Sequence, residues 1–578
     1  MCGIFGKTNF KKSQFQGLSE GLDLLKHRGP DQKGVYVDEN LFMGHQRLSI
    51  IDLSDNGKQP MTSKSEDVII TVNGEIYNYK EIKKELDQKF TFKSESDSEV
   101  LIYGYKEWGM DRLLNKIDGM FALTLYDKIN GKLFLVRDRV GIKPLYYSKI
   151  NSEICWSSEL KSIKHFYSKD DLEIDHTGFY DYLTYRYIPA PKTMYKNVFK
   201  LEPATYIEIS VNQSNKMKSI CYWKPNISHD NKRSLDETCI KFRDELSKSV
   251  NSQLVSDVPV GLFLSGGLDS ASIASCLPDK SNLKTFTIGF EDKNYDESAY
   301  ALYISEYFKL KNTTEYFKAD EIKKMFEMNL EWFDEPAFNS SNFPVFQLSK
   351  LTKKKCTVAL SGDGGDELFG GYKWYKFMEK LNTIRLPFLS FTRPLLQLGF
   401  NLPINKISKL FKALDLLVTP DILEAYSIVH GGLSCKEKQY YKNKWKIDSD
   451  YDDYWFFRKF DNPKLDIKSR FQHLDFHTFL PEVCLTKIDR ASMQNSLECR
   501  VPFLSNSMLE FAFSIPPKLR FHNNDLKGIM KESMREILPQ RTLKMVKKGF
   551  SAPLDYNEIE FNKTQKEHMR YFNFIQSK

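Results

Sequence analysis

The chain has 578 residues, of which 41% are hydrophobic and 28% charged, and a net charge of +8. That length exceeds one ordinary domain and the balance is that of a folded protein, so a disordered chain is excluded and two or three domains are expected. Lys and Arg are scattered without a basic arm, so nucleic acid is not an expected partner. No apolar run is long enough to span a bilayer. The richest, "LPFLSFTRPLLQLGFNLP" (residues 386–403), is broken by prolines and an arginine, so no membrane partner is expected. The start lacks the basic-then-apolar order of a signal peptide, and the nine cysteines show neither CxxC nor zinc spacing. A cytoplasmic protein with reduced thiols is the expectation.

In chain order, helical patterns are predicted near Leu18–Lys26 and Ser98–Trp108. Alternating runs at Val68–Asn78, Met120–Asp127 and Lys132–Asp138, parted by turn signals such as "INGK", predict antiparallel sheet over the first 200 residues. The polar stretch from Lys224 to Thr238 reads as a linker. Beyond it Cys239, Phe242, Leu246, Val250 and Leu254 recur at helical spacing. Apolar runs at Val258–Leu264, Lys284–Phe290 and Cys356–Glu367, separated by helical segments, predict a parallel α/β sheet. From about Tyr372 the chain reads as mostly helical.

Cys2 is the first chemically suggestive residue. Its thiol, with a pKa near 8.5, is only about 3% thiolate at pH 7. A free α-amine on the same residue, at roughly 7.7–8.0, would be suited to take the proton once Met1 is removed. The thiolate would attack a carbonyl, giving an acyl-thioester, and Gly3 would leave space beside the main chain. A lone early cysteine is ordinarily only a small apolar residue, so four further segments carry the weight. "HRGPD" (His27–Asp31) is a turn-forming cluster. "GHQRLSIID" supplies Arg47, a fork suited to a carboxylate. "NGEIYN" (Asn73–Asn78) sets an amide, a glycine N–H and a carboxylate in succession, the donors of an oxyanion hole plus a group for an ammonium. "SDSE" puts Asp97 near a helix start, where plain N-capping competes with substrate binding.

These five motifs, in this order, resemble the class II glutamine amidotransferases over residues 2–210. The resemblance implies an α+β N-terminal-nucleophile (αββα sandwich) domain that cleaves glutamine. It also implies Cys2 as nucleophile, Asn73 and the Gly74 N–H as oxyanion hole, Arg47 on the glutamine carboxylate, and Glu75 and Asp97 on its α-amine.

In the second half, "LFLSGGLDSASIA" (Leu262–Ala274) is a strand, a Ser-Gly-Gly turn and a helix start, an anion cradle of backbone N–H groups. It lacks the lysine of a Walker loop. Asp269 behind it suits Mg²⁺. A second loop, "SGDGGDELFGGY" (Ser361–Tyr372), follows another strand of the same predicted sheet, where ligands bind in open α/β folds. Taken singly, such loops are often only tight turns or solvated acidic faces. With "FTIGF" and "YDES" in order, they resemble the ATP-pyrophosphatase (PP-loop) domain of the glutamine-hydrolysing asparagine synthetase family over residues 235–560. That implies an α/β parallel-sheet domain with a helical C-terminal part, splitting ATP to AMP and pyrophosphate to activate a carboxylate. Leu264, Ile288 and Gly362 would meet adenosine through backbone atoms. Ser265, Gly266, Gly267, Asp269 and Ser270, with Ser361 in the second loop, would complete the ATP site. Asp269 and Asp366 would hold Mg²⁺, and Lys547 would steady the phosphate charge. Ammonia would pass internally between the domains.

The family typically has glutamate where this chain has Asp363. The carboxylate retreats by roughly 1.5 Å, and a misplacement of about 1 Å can cost on the order of 100-fold in rate. The segment Leu480–Leu504 also resembles a bacterial subgroup linked to surface-polysaccharide synthesis, so a uronic-acid carboxylate stands beside aspartate as acceptor. Asp489, Arg490 and Arg500 there read equally as core charges or as substrate contacts. The expected partners are small molecules, and homodimerisation is left open. A glutaminase fused to a ribosyl-transfer domain is disfavoured by the two loops. A non-catalytic descendant is disfavoured by the retention of Cys2, Arg47, Asn73, Asp97 and Asp269.

Overall fold

The structure, a computed structural model, describes residues 1–211, 216–228, 232–278, 283–317, 328, 331–337, 339–399 and 405–545. The first half forms two six-stranded antiparallel sheets, and the three alternating runs are neighbouring strands of one of them. One contains Gly3–Thr8 between Leu41–Arg47 and Glu153–Ser157, and the other contains Val68–Ile76 beside Gly119–Asp127. Ile4, Met43, Ile69, Leu133 and Trp156 fill the space between the sheets. Helices Phe15–Asp23 and Leu160–Phe166 cover one outer face and Tyr79–Leu86 and Glu99–Lys116 the other, giving four αββα layers. With both faces covered, Val68–Ile76 is buried throughout except at Gly74.

The predicted linker gives way to a helix at Leu235–Ser252, where Ser234 and Glu237 form a capping box. Cys239, Phe242, Leu246 and Val250 are its buried face. Leu254 falls just beyond its end. The second half carries a five-stranded all-parallel sheet, in the order Lys311–Phe317, Lys284–Phe290, Val260–Phe263, Val358–Leu360, Glu498–Arg500. Beyond Tyr372 the described residues are mostly helical, as expected, and this last strand is the exception. Three residues are too few to show a period, yet Glu498, Cys499 and Arg500 pair with Val358, Ala359 and Leu360.

The halves are packed together. Met1, Met120, Val140 and Ile142 join the apolar core of the second half. Beside them lies a buried ionic network. Arg28 pairs with Glu159 at 2.8 Å and with Asp489 at 2.9 Å, and Arg490 pairs with Glu159 at 2.9 Å and with Asp334 at 3.2 Å. Such charges are costly to bury and far costlier to leave unpaired, so they fix the relative placement of the halves.

Candidate active sites

Cys2 lies buried at the head of strand Gly3–Thr8, whose register opposite Leu41–Arg47 brings Arg47 to its side. Its backbone N–H donates to Asn73 Oδ1 at 3.0 Å, and its carbonyl accepts from Arg28 Nε at 3.0 Å. Burial pushes the thiol pKa up, against the pull of the nearby N-terminal charge. Such a thiol needs a base within reach. Here the Cys2 nitrogen is still in a peptide bond, and the Met1 amine pairs with Glu498 at 3.0 Å. Gly3 has a packing reason of its own: a Cβ there would lie 2.7 Å from Leu25 Cβ.

Asn73 Nδ2 is buried without a hydrogen-bond partner among the described residues, a donor beside the thiol that lacks an acceptor. Gly74 lies so close to the neighbouring strand that a Cβ would sit 2.0 Å from the Met120 carbonyl oxygen. Glu75 and Asp97 follow, both buried. Burial, then the Glu498 and Asp97 charges, push Glu75 well up against the pull of Arg500. Asp97 is pushed up to about 6, mainly by burial. Two buried carboxylates held toward neutrality make a site that favours an incoming cation. Asp97 does not cap the helix: Ser98 takes that position, while Asp97 Oδ2 accepts from the Ile76 N–H at 2.7 Å. Arg47 is held flat by Gln32 Oε1 at 2.8 Å and the Ile51 carbonyl at 3.1 Å, against a glycine, Gly57, whose Cβ would collide with it.

In the second half a cavity of about 790 Å³ opens at the C-terminal ends of the parallel strands. Leu264, Ser265, Gly267, Asp269, Ser270, Ile288, Ser361, Gly362, Asp363 and Asp366 all line it. Gly266 does not. It turns at φ +75° against the Tyr300 backbone, where a Cβ would lie 2.3 Å from the carbonyl carbon. In the first loop the Ser265 and Ser270 hydroxyls bond each other at 3.1 Å, and Gly267 opens the helix Leu268–Ser275. The two loops touch through glycines, since a Cβ on Gly362 would lie 2.9 Å from Asp269 Cβ and one on Gly365 2.7 Å from Asp269 Oδ1.

Two lysines complete this site that motif reading did not single out. Lys527 Nζ bonds both oxygens of Asp269 and lies 2.7 Å from Asp366 Oδ1, so the two carboxylates converge on one cationic atom. Lys487 Nζ lies 2.9 Å from Asp363 Oδ1, whose other oxygen accepts from Ser361 Oγ at 2.5 Å. Burial lowers the Lys487 pKa, but Asp363 more than offsets it and the ammonium is held above its ordinary range. The shorter carboxylate is therefore anchored, with a buried cation at its side. Lys547 lies outside the described residues.

The sites are linked through the second half of the chain. Arg28 joins the Cys2 carbonyl to Asp489. Arg500 Nη2 lies 3.6 Å from Glu75 Oε2, while the Arg500 carbonyl accepts from the Ser361 N–H at 2.8 Å. "HRGPD" thus supplies an interdomain clamp, which no local pattern announces.

Residues 1–223 match the family described as glutamine amidotransferase domain, and residues 241–572 match asparagine synthase. The chain is 32% identical over 582 residues to asparagine synthetase [glutamine-hydrolyzing] 1 of Bacillus subtilis, covering 96% of this chain and 87% of that protein. It is 35% identical to putative asparagine synthetase [glutamine-hydrolyzing] 2 of Methanocaldococcus jannaschii, covering 87% of this chain and all of the relative. With both halves matched and these relatives spanned nearly end to end, the chain belongs to the glutamine-hydrolysing asparagine synthetase family of glutamine-dependent, ATP-using ligases.

Proposed function

We propose that the protein is an asparagine synthase that takes its ammonia from glutamine. Cys2, freed of Met1, gives its thiol proton to its own amine and attacks the glutamine amide carbon, expelling ammonia. Asn73 Nδ2 and the Gly74 N–H hold the developing oxyanion. Glu75 and Asp97 receive the substrate's ammonium, and Arg47 its carboxylate. Water then hydrolyses the thioester to glutamate.

In the synthetase half, Leu264, Ile288 and Gly362 hold adenosine through their backbone, and Ser265, Gly267 and Ser270 with Ser361 hold the phosphates. Gly266 shapes that turn. The aspartate side-chain carboxylate attacks the α-phosphorus, pyrophosphate leaves, and ammonia displaces AMP from the acyl-adenylate. Asp363 with Lys487 faces the reacting groups. Convergence of Asp269 and Asp366 on one cation fits Mg²⁺, which usually takes one or two carboxylates plus substrate phosphates and water. When bound it would spread the phosphate charge, and Lys527 would remain beside it. Lys547 is proposed to act on the same phosphates.

The observation that best supports coupled chemistry is Arg28, which binds the nucleophile's carbonyl and a synthetase carboxylate with one guanidinium. The test is incubation with ATP, Mg²⁺, glutamine and L-aspartate. Asparagine and AMP in equal amounts support the reading, and glutamate without either overturns it. A larger acceptor, such as a sugar uronate, is favoured by one feature: Trp374, stacked on Tyr372 at 3.9 Å, and Phe479 wall the cavity. Amidation of uronic-acid sugar nucleotides in place of aspartate would select it.

A further inference from the structure

The Arg47 guanidinium is aimed by the turn that follows it in the chain. Its Nη2 donates to the Ile51 and Asp52 carbonyls at 3.1 and 2.5 Å, and its Nη1 donates to the Ser54 carbonyl at 3.2 Å. The chain does not adopt this turn freely. Asp52 has φ +58°, a left-handed conformation that a residue other than glycine keeps only where its surroundings hold it. Its carboxylate closes the turn, accepting from the Ser54 N–H at 3.0 Å and the Ser54 hydroxyl at 2.5 Å. Its other oxygen accepts from the Glu95 N–H at 2.9 Å, two residues before Asp97. Asp52 therefore braces both the Arg47 fork and the loop that carries Asp97.

The main chain of that turn is tied from the other half of the protein. The Asp52 N–H donates to Asp257 Oδ2 at 2.8 Å, and the Asp257 N–H donates to the Ile50 carbonyl at 2.9 Å. One peptide plane, Ile51–Asp52, thus joins the two side chains: its carbonyl accepts from Arg47 and its N–H donates to Asp257. A charged acceptor on that N–H holds the plane and polarises the carbonyl toward the guanidinium. Without it the plane is free to rotate and draw the carbonyl away. Asp257 is itself firmly placed. Val255, Val258 and Val260 pack on the apolar core that contains Leu48, Ile50 and Ile51. Arg500 Nη1 donates to the Gln253 and Val255 carbonyls at 2.8 and 2.7 Å.

We infer that Asp257 is a positioning residue for glutamine: through the Ile51–Asp52 peptide it fixes the guanidinium that meets the substrate's carboxylate. The inference rests on the proposed glutaminase reading of the Cys2 site. It assigns part of glutamine recognition to a residue outside the matched amidotransferase domain, which ends at residue 223. Because Asp257 acts through Arg47 and not on the thiol, it governs binding and spares the chemical step.

The test is steady-state glutamine hydrolysis by the full-length protein, wild type against Asp257→Ala and Asp257→Asn, with urea midpoints measured alongside. In Asp257→Ala the KM for glutamine should rise about tenfold, as for one charged hydrogen bond lost, with kcat within about twofold of wild type. Asp257→Asn keeps an acceptor for the Asp52 N–H, so its KM should stay within about threefold of wild type. Asp257 is exposed, so neither variant leaves an unpaired charge in the core. An unchanged KM in Asp257→Ala overturns the inference. A fall in kcat and urea midpoint at constant KM also overturns it, since that is what a merely structural role would give. An Asp257→Asn KM as high as that of Asp257→Ala overturns the account through the peptide. Wild-type protein that releases no glutamate fails the glutaminase reading and this inference with it, an outcome distinct from a live glutaminase whose KM ignores residue 257.

Discussion

Replacing Arg28 by Met removes one guanidinium from four acceptors. These are the Cys2 carbonyl at 3.0 Å, Glu159 at 2.8 Å, and both oxygens of Asp489 at 2.9 and 3.0 Å. Glu159 keeps Arg490, Lys161 and His27. Among the described residues Asp489 keeps only the Lys143 ion pair at 3.9 Å, so the uncompensated charge falls on the synthetase side. Breaking a buried pair from one side costs about 3–5 kcal/mol, a large part of the ~5–15 kcal/mol that separates folded from unfolded protein. We predict a lower urea midpoint for Arg28→Met. In Arg28→Met/Asp489→Leu, where the orphaned carboxylate is gone, about 0.5–3 kcal/mol should return. Glutamine hydrolysis should fall about 10–100-fold, because the nucleophile's own carbonyl loses its donor and shifts of about 1 Å carry costs of that order. Asp489→Asn leaves the Cys2 contact intact, so it should retain glutamine hydrolysis while releasing more ammonia per AMP formed. An Arg28→Met protein with wild-type urea midpoint and wild-type turnover would refute the reasoning.

Three further outcomes follow from the same geometry. Asp97, raised to about 6, must be charged to hold an ammonium, so the KM for glutamine should rise about tenfold per unit as pH falls below 6, measured with buffers matched in ionic strength. For a carboxyl whose folded pKa lies above its unfolded one, stability is lost as pH rises between the two. The Asp97 contribution to the ligand-free protein should therefore decline from about pH 4 to 6, as a calorimetric comparison with Asp97→Asn can check. Lys487→Met strips Asp363 of a charged hydrogen bond of about 1.5–3 kcal/mol, so AMP formation should drop ~10–150-fold, with partial rescue by Lys487→Arg and unchanged glutamine hydrolysis. Chelating Mg²⁺ should stop AMP formation while glutamate release continues, because no residue of the Cys2 site needs a metal.

Elements whose chemistry repeats locally were legible in the sequence. Alternation gave three neighbouring strands of one antiparallel sheet, and Cys239, Phe242, Leu246 and Val250 outlined their helix. The two loops were legible because glycine is forced there: no other residue lets Gly362 and Gly365 approach Asp269. At Gly3 packing gives a reason of its own, since a Cβ there would crowd Leu25. What local pattern could not give is what arrives from afar. Lys527 meets Asp269 across 258 positions and Lys487 meets Asp363 across 124, and a lone lysine carries no period or spacing that announces its target. Glu498–Arg500 was missed as a strand because three residues have no alternation to display. Asp97 was misjudged as a competing cap because Ser98, one residue on, suits the same position.

The edge strand Glu498–Arg500 and the nearby Asp489 set an order of events during synthesis. The glutaminase sheets are finished by Cys221, whereas the charges that complete their inner face appear more than 260 residues later. At ribosomal speeds of about 5–20 residues per second, that is a delay of roughly 15–60 s. Throughout it the fork of Arg28 lacks Asp489 and the Glu75 carboxyl lacks Arg500. A chain that ends before Asp489 therefore lacks two of the charges that meet Arg28 and Glu75 in the finished fold.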